Sequence, residues 1–356
     1  MSPTNGGTSK RRLSLGFDRF SGLYIWALFI VVFSIWQPHL FPTGATVHSV
    51  ASEQAISGIL ALALVIPLAA GTFDLSVGAS INLATVIVTW LQSSHHWGMW
   101  PAIVVTLVVS AVIGGLNAVI VVVLHVDSFI ATLGTASIIA AIQTIVANNN
   151  QPLPPTSTAW SNLTQRDVAG FQIVFVYLLV IAIVLWWVLA HTPVGRYLYA
   201  VGGNPEAARL SGVRVGSWVA TSLVASSLLA GVGGIFFASL LGPSLTYGQG
   251  LLLPAFAAAF LGSTQLLPGR FNVWGTLIAL YVLATGVKGL QFVTGVQWLN
   301  DMFNGVALVA AVSFAVWRQR AAVSVRRTAH SAGAAPHEPS PGTEDPAAVG
   351  LTEEGE

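Results

Sequence analysis

Apolar runs broken by short polar stretches make up most of the chain. Runs of near-spanning length occupy 20–40, 54–71, 75–92, 101–124, 127–147, 171–190, 216–241, 251–265, 273–289 and 300–317. A helix needs roughly 20 apolar residues to cross hydrocarbon. The pattern predicts an all-α polytopic membrane protein with about ten transmembrane or re-entrant helices, the shorter runs being the ones expected to be broken or re-entrant. The first run reads as an uncleaved helix, because no small-residue cleavage site follows it.

Composition agrees with this reading: 54% of the 356 residues are hydrophobic and only 8% are charged. The placement of cations then orients the chain. With an even number of crossings both termini are cytoplasmic. Arg196, Arg209, Arg214, Arg270, Arg318, Arg320, Arg326 and Arg327 then share the inner side with Lys10, Arg11 and Arg12, leaving Arg166 and Lys288 toward the outside. Residues 1–19 read as a disordered basic segment, 20–317 as the membrane domain, and 318–356, rich in Ala, Pro, Gly and Glu, as a disordered tail. Cys 0 excludes disulfides and thiolate metal sites.

One polar island, 191–215, lies between two spans. Asn204 is a preferred N-cap, Pro205 suits the first helical turn, Glu206 complements the positive end of the dipole, and Gly212 supplies a stop. These residues predict a short exposed helix from Pro205 to Ser211, carrying Arg209 and flanked by Arg196 and Arg214. Such a surface is built to touch a partner.

Glu206-Ala207-Ala208 with Gly212 forms E-A-A-x-x-x-G, which resembles the ATPase-docking loop of ABC importer permeases. Thr192, Gly195, Arg196, Ala200, Gly202 and Asn204 extend it to T-x-x-G-R-x-x-x-A-x-G-x-N, similar to the ribose-type sugar permease family. Three further strings strengthen the resemblance. Gly71 to Gly78, containing Asp74, Ser76 and Gly78, is similar to G-x-D-L-S-V-G, followed by Ala79 where the family usually has Ser. Asp127 to Thr135 resembles P-x-F-I-A-T-L-G-T, with Asp127-Ser128 replacing the proline-containing start. Leu261 to Thr276 resembles a glycine-rich helix-turn-helix, with Ser263, Pro268 and Phe271 at positions where glycine is commoner.

The resemblance implies a non-catalytic pore subunit that pairs with a second permease copy, takes energy from a separate ABC ATPase, and receives a monosaccharide or polyol from an extracytoplasmic solute-binding protein. A bacterial plasma (inner) membrane is implied, with ribose- or xylose-like pentoses among the expected substrates and no nucleic-acid partner. ATPase coupling is assigned to Gly195, Arg196, Gly202, Asn204, Pro205, Glu206, Ala207, Ala208, Arg209 and Gly212. Asp74, Ser76, Gly78, Gly269 and Arg270 form cytoplasmic-turn strings. Asp74 reads as a helix cap or as an ion-coupling carboxylate.

Asn117, Ser128, Phe129, Thr132 and Thr135 are candidates to line the translocation path. Interhelical hydrogen bonding is the alternative reading of their polar groups. The 148–170 connection is a candidate contact for an external partner or a plain linker, and Trp97, Trp100, Trp160, Trp186 and Trp317 suit the interfacial belt. The chain contains no G-x-x-x-x-G-K-[ST] phosphate loop, and neither metal nor cofactor is called for. His95-His96 lacks carboxylate company. A proton- or sodium-coupled secondary transporter is the rival class. It would need acids at mid-membrane, where Asp74 and Asp301 are the candidates.

Overall fold

The computed structural model describes residues 17–296, 298–299, 301–310 and 312–313. Residues 1–16 and 318–356, read from the sequence as disordered, lie outside these residues, as do Trp317 and the arginines beyond it, whereas Phe17–Arg19, read as the end of the N-terminal segment, open the first helix. The elements run α1 (Phe17–Trp36), α2 (Gly44–Glu53), α3 (Ala55–Ala69), α4 (Val77–Ser93), α5 (Met99–Ala118, extended by a π-helical turn Val119–Val123), α6 (Ser128–Val146) and α7 (Thr158–Gln165). A two-residue hairpin follows, β1 (Asp167–Val168) antiparallel to β2 (Phe171–Gln172). The chain continues through α8 (Ile173–His191), α9 (Pro193–Gly203), α10 (Pro205–Leu210), α11 (Val215–Leu241), α12 (Tyr247–Gly262) and α13 (Val273–Thr294), then α14 (Asp301–Ala310).

The apolar runs map one to one onto α1, α3, α4, α5, α6, α8, α11, α12, α13 and α14, while α2 precedes the 54–71 run and lies in none of them. Five of these, α5, α6, α8, α11 and α13, are long and apolar enough to span alone, and α2 with α3, bent by 42°, makes a sixth. The others are shorter apolar helices, as expected of broken or re-entrant segments.

Helix α3 is the axis of the bundle. All fifteen of its residues are buried, so its apolar character runs around the whole circumference instead of forming a stripe. α8, α11, α12 and α13 sheathe it with Leu178, Ala230, Ala259 and Leu280. Small residues allow the closest crossings. A methyl group on Gly114 of α5 would lie 2.6 Å from Val224 Cα of α11, and one on Gly234 of α11 would lie 2.5 Å from the Ile81 carbonyl of α4. Backbones in contact at these points explain the glycines inside apolar spans.

Two expectations change here. The 148–170 connection is structured: it contains α7, whose Trp160 is 2% exposed and packs with Leu83, Ala102 and Ile235. Its carbonyl accepts a hydrogen bond from Ser239 Oγ, so Trp160 belongs to the core and not to an interfacial belt. The 191–215 island holds two helices, because α9 precedes the short helix read from the sequence.

Candidate functional site

The short helix forms as its end signals require. Asn204 caps α10 through its side-chain oxygen, which accepts from Ala207 N at 3.0 Å, and Pro205 fills the first turn. Gly212 has φ +81°, the left-handed conformation that ends helices. The observed helix stops at Leu210, one residue before the expected end. Its outer surface carries Glu206 and Arg209, 4.0 Å apart and both largely exposed, beside Leu210, which is 90% exposed. Ala208 faces inward and packs with Val201 and Val219. Ala207, Arg196 and Arg214 are exposed.

Helix α9 holds α10 against the rest of the molecule. Gly195 lies so close to the end of α8 that a methyl group would fall 1.9 Å from the Leu189 carbonyl. At its other end Gly202 meets the α3–α4 turn, where an added methyl would stand 2.2 Å from the Ala69 carbonyl and 2.9 Å from Gly71 N. Between them the Tyr199 hydroxyl donates to the Phe271 carbonyl at 2.6 Å, and the Arg270 guanidinium lies 4.0 Å from the Tyr199 ring centre. Burial pushes the Tyr199 phenol above its ordinary value, only partly offset by Arg270, so it stays a donor. Gly269, at φ +84°, turns the chain just before Arg270. Three separate turns, 70–76, 191–215 and 263–272, therefore meet around α9.

The α3–α4 turn is wired inward. Asp74 is fully buried, and its Oδ1 accepts from Ser76 N at 3.1 Å and Ser76 Oγ at 2.6 Å. Asn117 Nδ2 in turn donates to Ser76 Oγ at 2.8 Å. The cap thus acts on Ser76, and α4 begins at Val77, two residues later than Leu75. Phe73 N donates to Ser128 Oγ and Leu75 N to Thr132 Oγ, at 3.1 and 3.0 Å. Of the proposed lining residues, Asn117, Ser128 and Thr132 are therefore tied to this turn. Thr135 bonds within α6, to the Thr132 carbonyl, and Phe129 is exposed, edge-on to Phe73. Gly78 sits back to back with Gly248 at the start of α12, where a methyl on Gly78 would lie 2.7 Å from the Gly248 carbonyl.

Two buried asparagines that the motifs did not single out hold the neighbouring turns. Asn82 donates to the Leu245 carbonyl and accepts from Gly248 N, fixing the approach to α12. Asn272 donates to the carbonyls of Gly262, Gln265 and Arg270 and accepts from Gly275 N, tying the whole α12–α13 turn together. Asn82 is a lone amide inside an apolar run and Asn272 one at the edge of another. That isolation was the available signal, because a buried amide must find partners.

At the end of the bundle opposite α9 and α10 lies a cavity of about 860 Å³. It opens where α8 begins and α11 ends, between α3, α12, α13 and α14. Lys288 crosses its wall to Glu53, with Nζ 3.1 Å from Oε2 and 3.4 Å from Ser49 Oγ. Gln54, at the α2–α3 bend, and Gln165, at the end of α7, add amides to the lining.

A sheath of spanning helices, a short capped helix exposed at one end and a polar cavity at the other fit a membrane permease. Comparison with known proteins specifies it further. Residues 46–312 match the family model described as branched-chain amino acid transport system / permease component. A ribose import permease of Bacillus subtilis is 30% identical over 82% of this chain and 90% of its own length. A fructose import permease of Rhizobium meliloti is 29% identical over 84% and 86% respectively, and a D-allose transport system permease of Escherichia coli 24% over 84% and 92%. The chain belongs to this permease family, in its ribose-type sugar branch of ABC importers, and is a multi-pass protein of the bacterial plasma membrane. No solved structure matches it.

Proposed function

We propose that this chain is the non-catalytic permease subunit of an ATP-driven importer of a monosaccharide or related polyol, docking a separate ATPase through α10. A solute-binding protein delivers the substrate on the opposite side, and two permease copies flank the path. The observation that carries the reading is the capped, exposed α10 with its apolar Leu210, mounted on α9 where three turns converge. A push on α10 reaches α8 and α11 through the chain, α3 and α4 through Gly202, and α12 and α13 through Tyr199. One docking event thereby bears on most of the bundle. The sugar class follows from the relatives, whose names specify ribose, fructose and allose.

The test is co-purification in nanodiscs with sugar-importer ATPases, comparing wild type with Glu206→Ala combined with Arg209→Glu. Association lost in the double variant supports the docking role. Association unchanged places docking elsewhere. A second reading, a proton- or sodium-coupled secondary transporter, is favoured by one feature: Asp74 is fully buried, its carboxylate near the Ser226 hydroxyl, and its Oδ2 makes no hydrogen bond of ordinary geometry among the described residues. Uptake into ATP-free vesicles that follows an imposed ion gradient would support that reading.

A further inference from the structure

The cavity opposite the docking helix has a chemistry that the docking argument leaves unused. Among the described residues its charged lining consists of three carboxylates, Glu53, Asp167 and Asp301, and one ammonium, Lys288, with the Tyr247 phenol beside them. Lys288 is already committed to Glu53. The remaining polar lining is largely amide: Gln54, Gln165, Gln172, Gln291 and Asn304. Carboxamides present donors and acceptors together, which matches the hydroxyls of a polyol, whose oxygens do both. At about 860 Å³ the space lies within the usual range for small-molecule pockets. The α2–α3 bend at Gln54 opens onto it, and broken helices at a cavity are a recurrent way for membrane transport proteins to build a solute site.

We propose that this cavity is a solute site within the single permease chain, accepting neutral or cationic hydroxylated solutes and rejecting anionic ones such as sugar phosphates and uronic acids. The inference rests on the permease reading and adds a charge filter to it. A cleft with low-dielectric walls and an excess of one sign concentrates counter-ions and repels co-ions. A phosphate or carboxylate entering here would find the lining ammonium of Lys288 already paired with Glu53 and would lose hydration without compensation. A neutral sugar meets only hydrogen-bonding groups, and an amino sugar gains the carboxylates.

The chain has no cysteine, so a single introduced thiol reports without background. Asn304→Cys, with Ala284→Cys as a second reporter on α13, would be reconstituted in nanodiscs. Each would be labelled with a trimethylammonium and a sulfonate methanethiosulfonate, and the rate ratio normalised to that on a free thiol. The expected preference is about tenfold for the cationic reagent, the lower end of electrostatic focusing in a charged cleft. It should shrink in high salt and in an added Asp301→Asn background. D-Ribose and D-allose should slow labelling, galactosamine at least as strongly, and ribose 5-phosphate not at all.

A normalised ratio near one at both reporters, equal protection by ribose 5-phosphate, or no protection by any neutral or amino sugar overturns the proposal. Those results with ATPase association intact would remove the charge filter and leave the importer reading standing. Loss of ATPase association with the labelling pattern intact would do the reverse.

Discussion

Two adjacent glycines at the end of α9 should respond oppositely to the same substitution. In Gly202→Ala the new methyl would lie 2.2 Å from the Ala69 carbonyl oxygen and 3.0 Å from its carbon, whereas ordinary contacts begin near 3.4 Å. Both obstacles are backbone, so no rotamer change relieves them, and α9 must withdraw from the α3–α4 turn by more than about 1 Å. Overpacking of this kind costs about 1–3 kcal/mol. The helix-propensity gain of alanine over glycine, at most about 1 kcal/mol, recovers only part of it. In Gly203→Ala the methyl meets nothing within 4 Å, so only the propensity gain remains. The assay is the apparent Tm of the purified variants in one detergent, read by intrinsic tryptophan fluorescence. Gly202→Ala should melt a few degrees below wild type and Gly203→Ala at or above it. Equal shifts of the same sign would refute the close approach of α9 to residues 69–71. Uptake should fall in Gly202→Ala even where ATPase association persists, because the link from α9 to α3 is the part disturbed.

Other positions give sharper local expectations. Asn204→Ala removes the α10 cap at a cost of about 1 kcal/mol, so ATPase affinity should fall severalfold and recover in Asn204→Asp, which keeps an acceptor oxygen. Tyr199→Phe keeps the ring against Arg270 but deletes the hydrogen bond to Phe271; stability should drop by about 1 kcal/mol, and uptake per ATP hydrolysed should fall without loss of docking. Asn272→Ala removes the bonds to the carbonyls of Gly262, Gln265 and Arg270 and to the amide of Gly275; Gly262 and Gln265 keep backbone donors, so the loss falls mainly on Arg270 and Gly275, and apparent stability should drop by about 1–3 kcal/mol in a thermal-shift assay.

The spans were legible because hydrocarbon imposes a length and a composition that are written directly into the chain. Helix α10 was legible for a local reason as well: Asn204, Pro205 and Gly212 each act within one turn. Helix α9 was not. Gly195, Gly202 and Gly203 are poor helix formers, and the segment is held by contacts from afar, the Phe271 carbonyl and the Ala69–Gly71 backbone. Trp160 was misplaced because a tryptophan near the end of a span is ambiguous without knowing that α7 folds back onto α11. The cavity was invisible for the same reason. Glu53, Gln165, Asp167, Lys288 and Asp301 come from distant parts of the chain and share a wall only after α3, α12, α13 and α14 are packed. Nothing in the spacing of the motif residues Ser128 and Thr132 revealed that the backbone amides of Phe73 and Leu75 would claim their hydroxyls.

The enclosure of α3 bears on how the protein is made. This helix leaves the ribosome early, and α4 follows at once with Val77 and Ile81, but most of the surface that covers it, on α8, α11, α12 and α13, is synthesised after residue 172. Until then most of its circumference must rest against lipid or the insertion machinery, joined to α2 by a bend that the finished bundle later fixes. Closure of the core is therefore a late event in biogenesis. A chain cut off before α13 would insert its first half and still leave its central helix open on one flank, a natural mark for quality control.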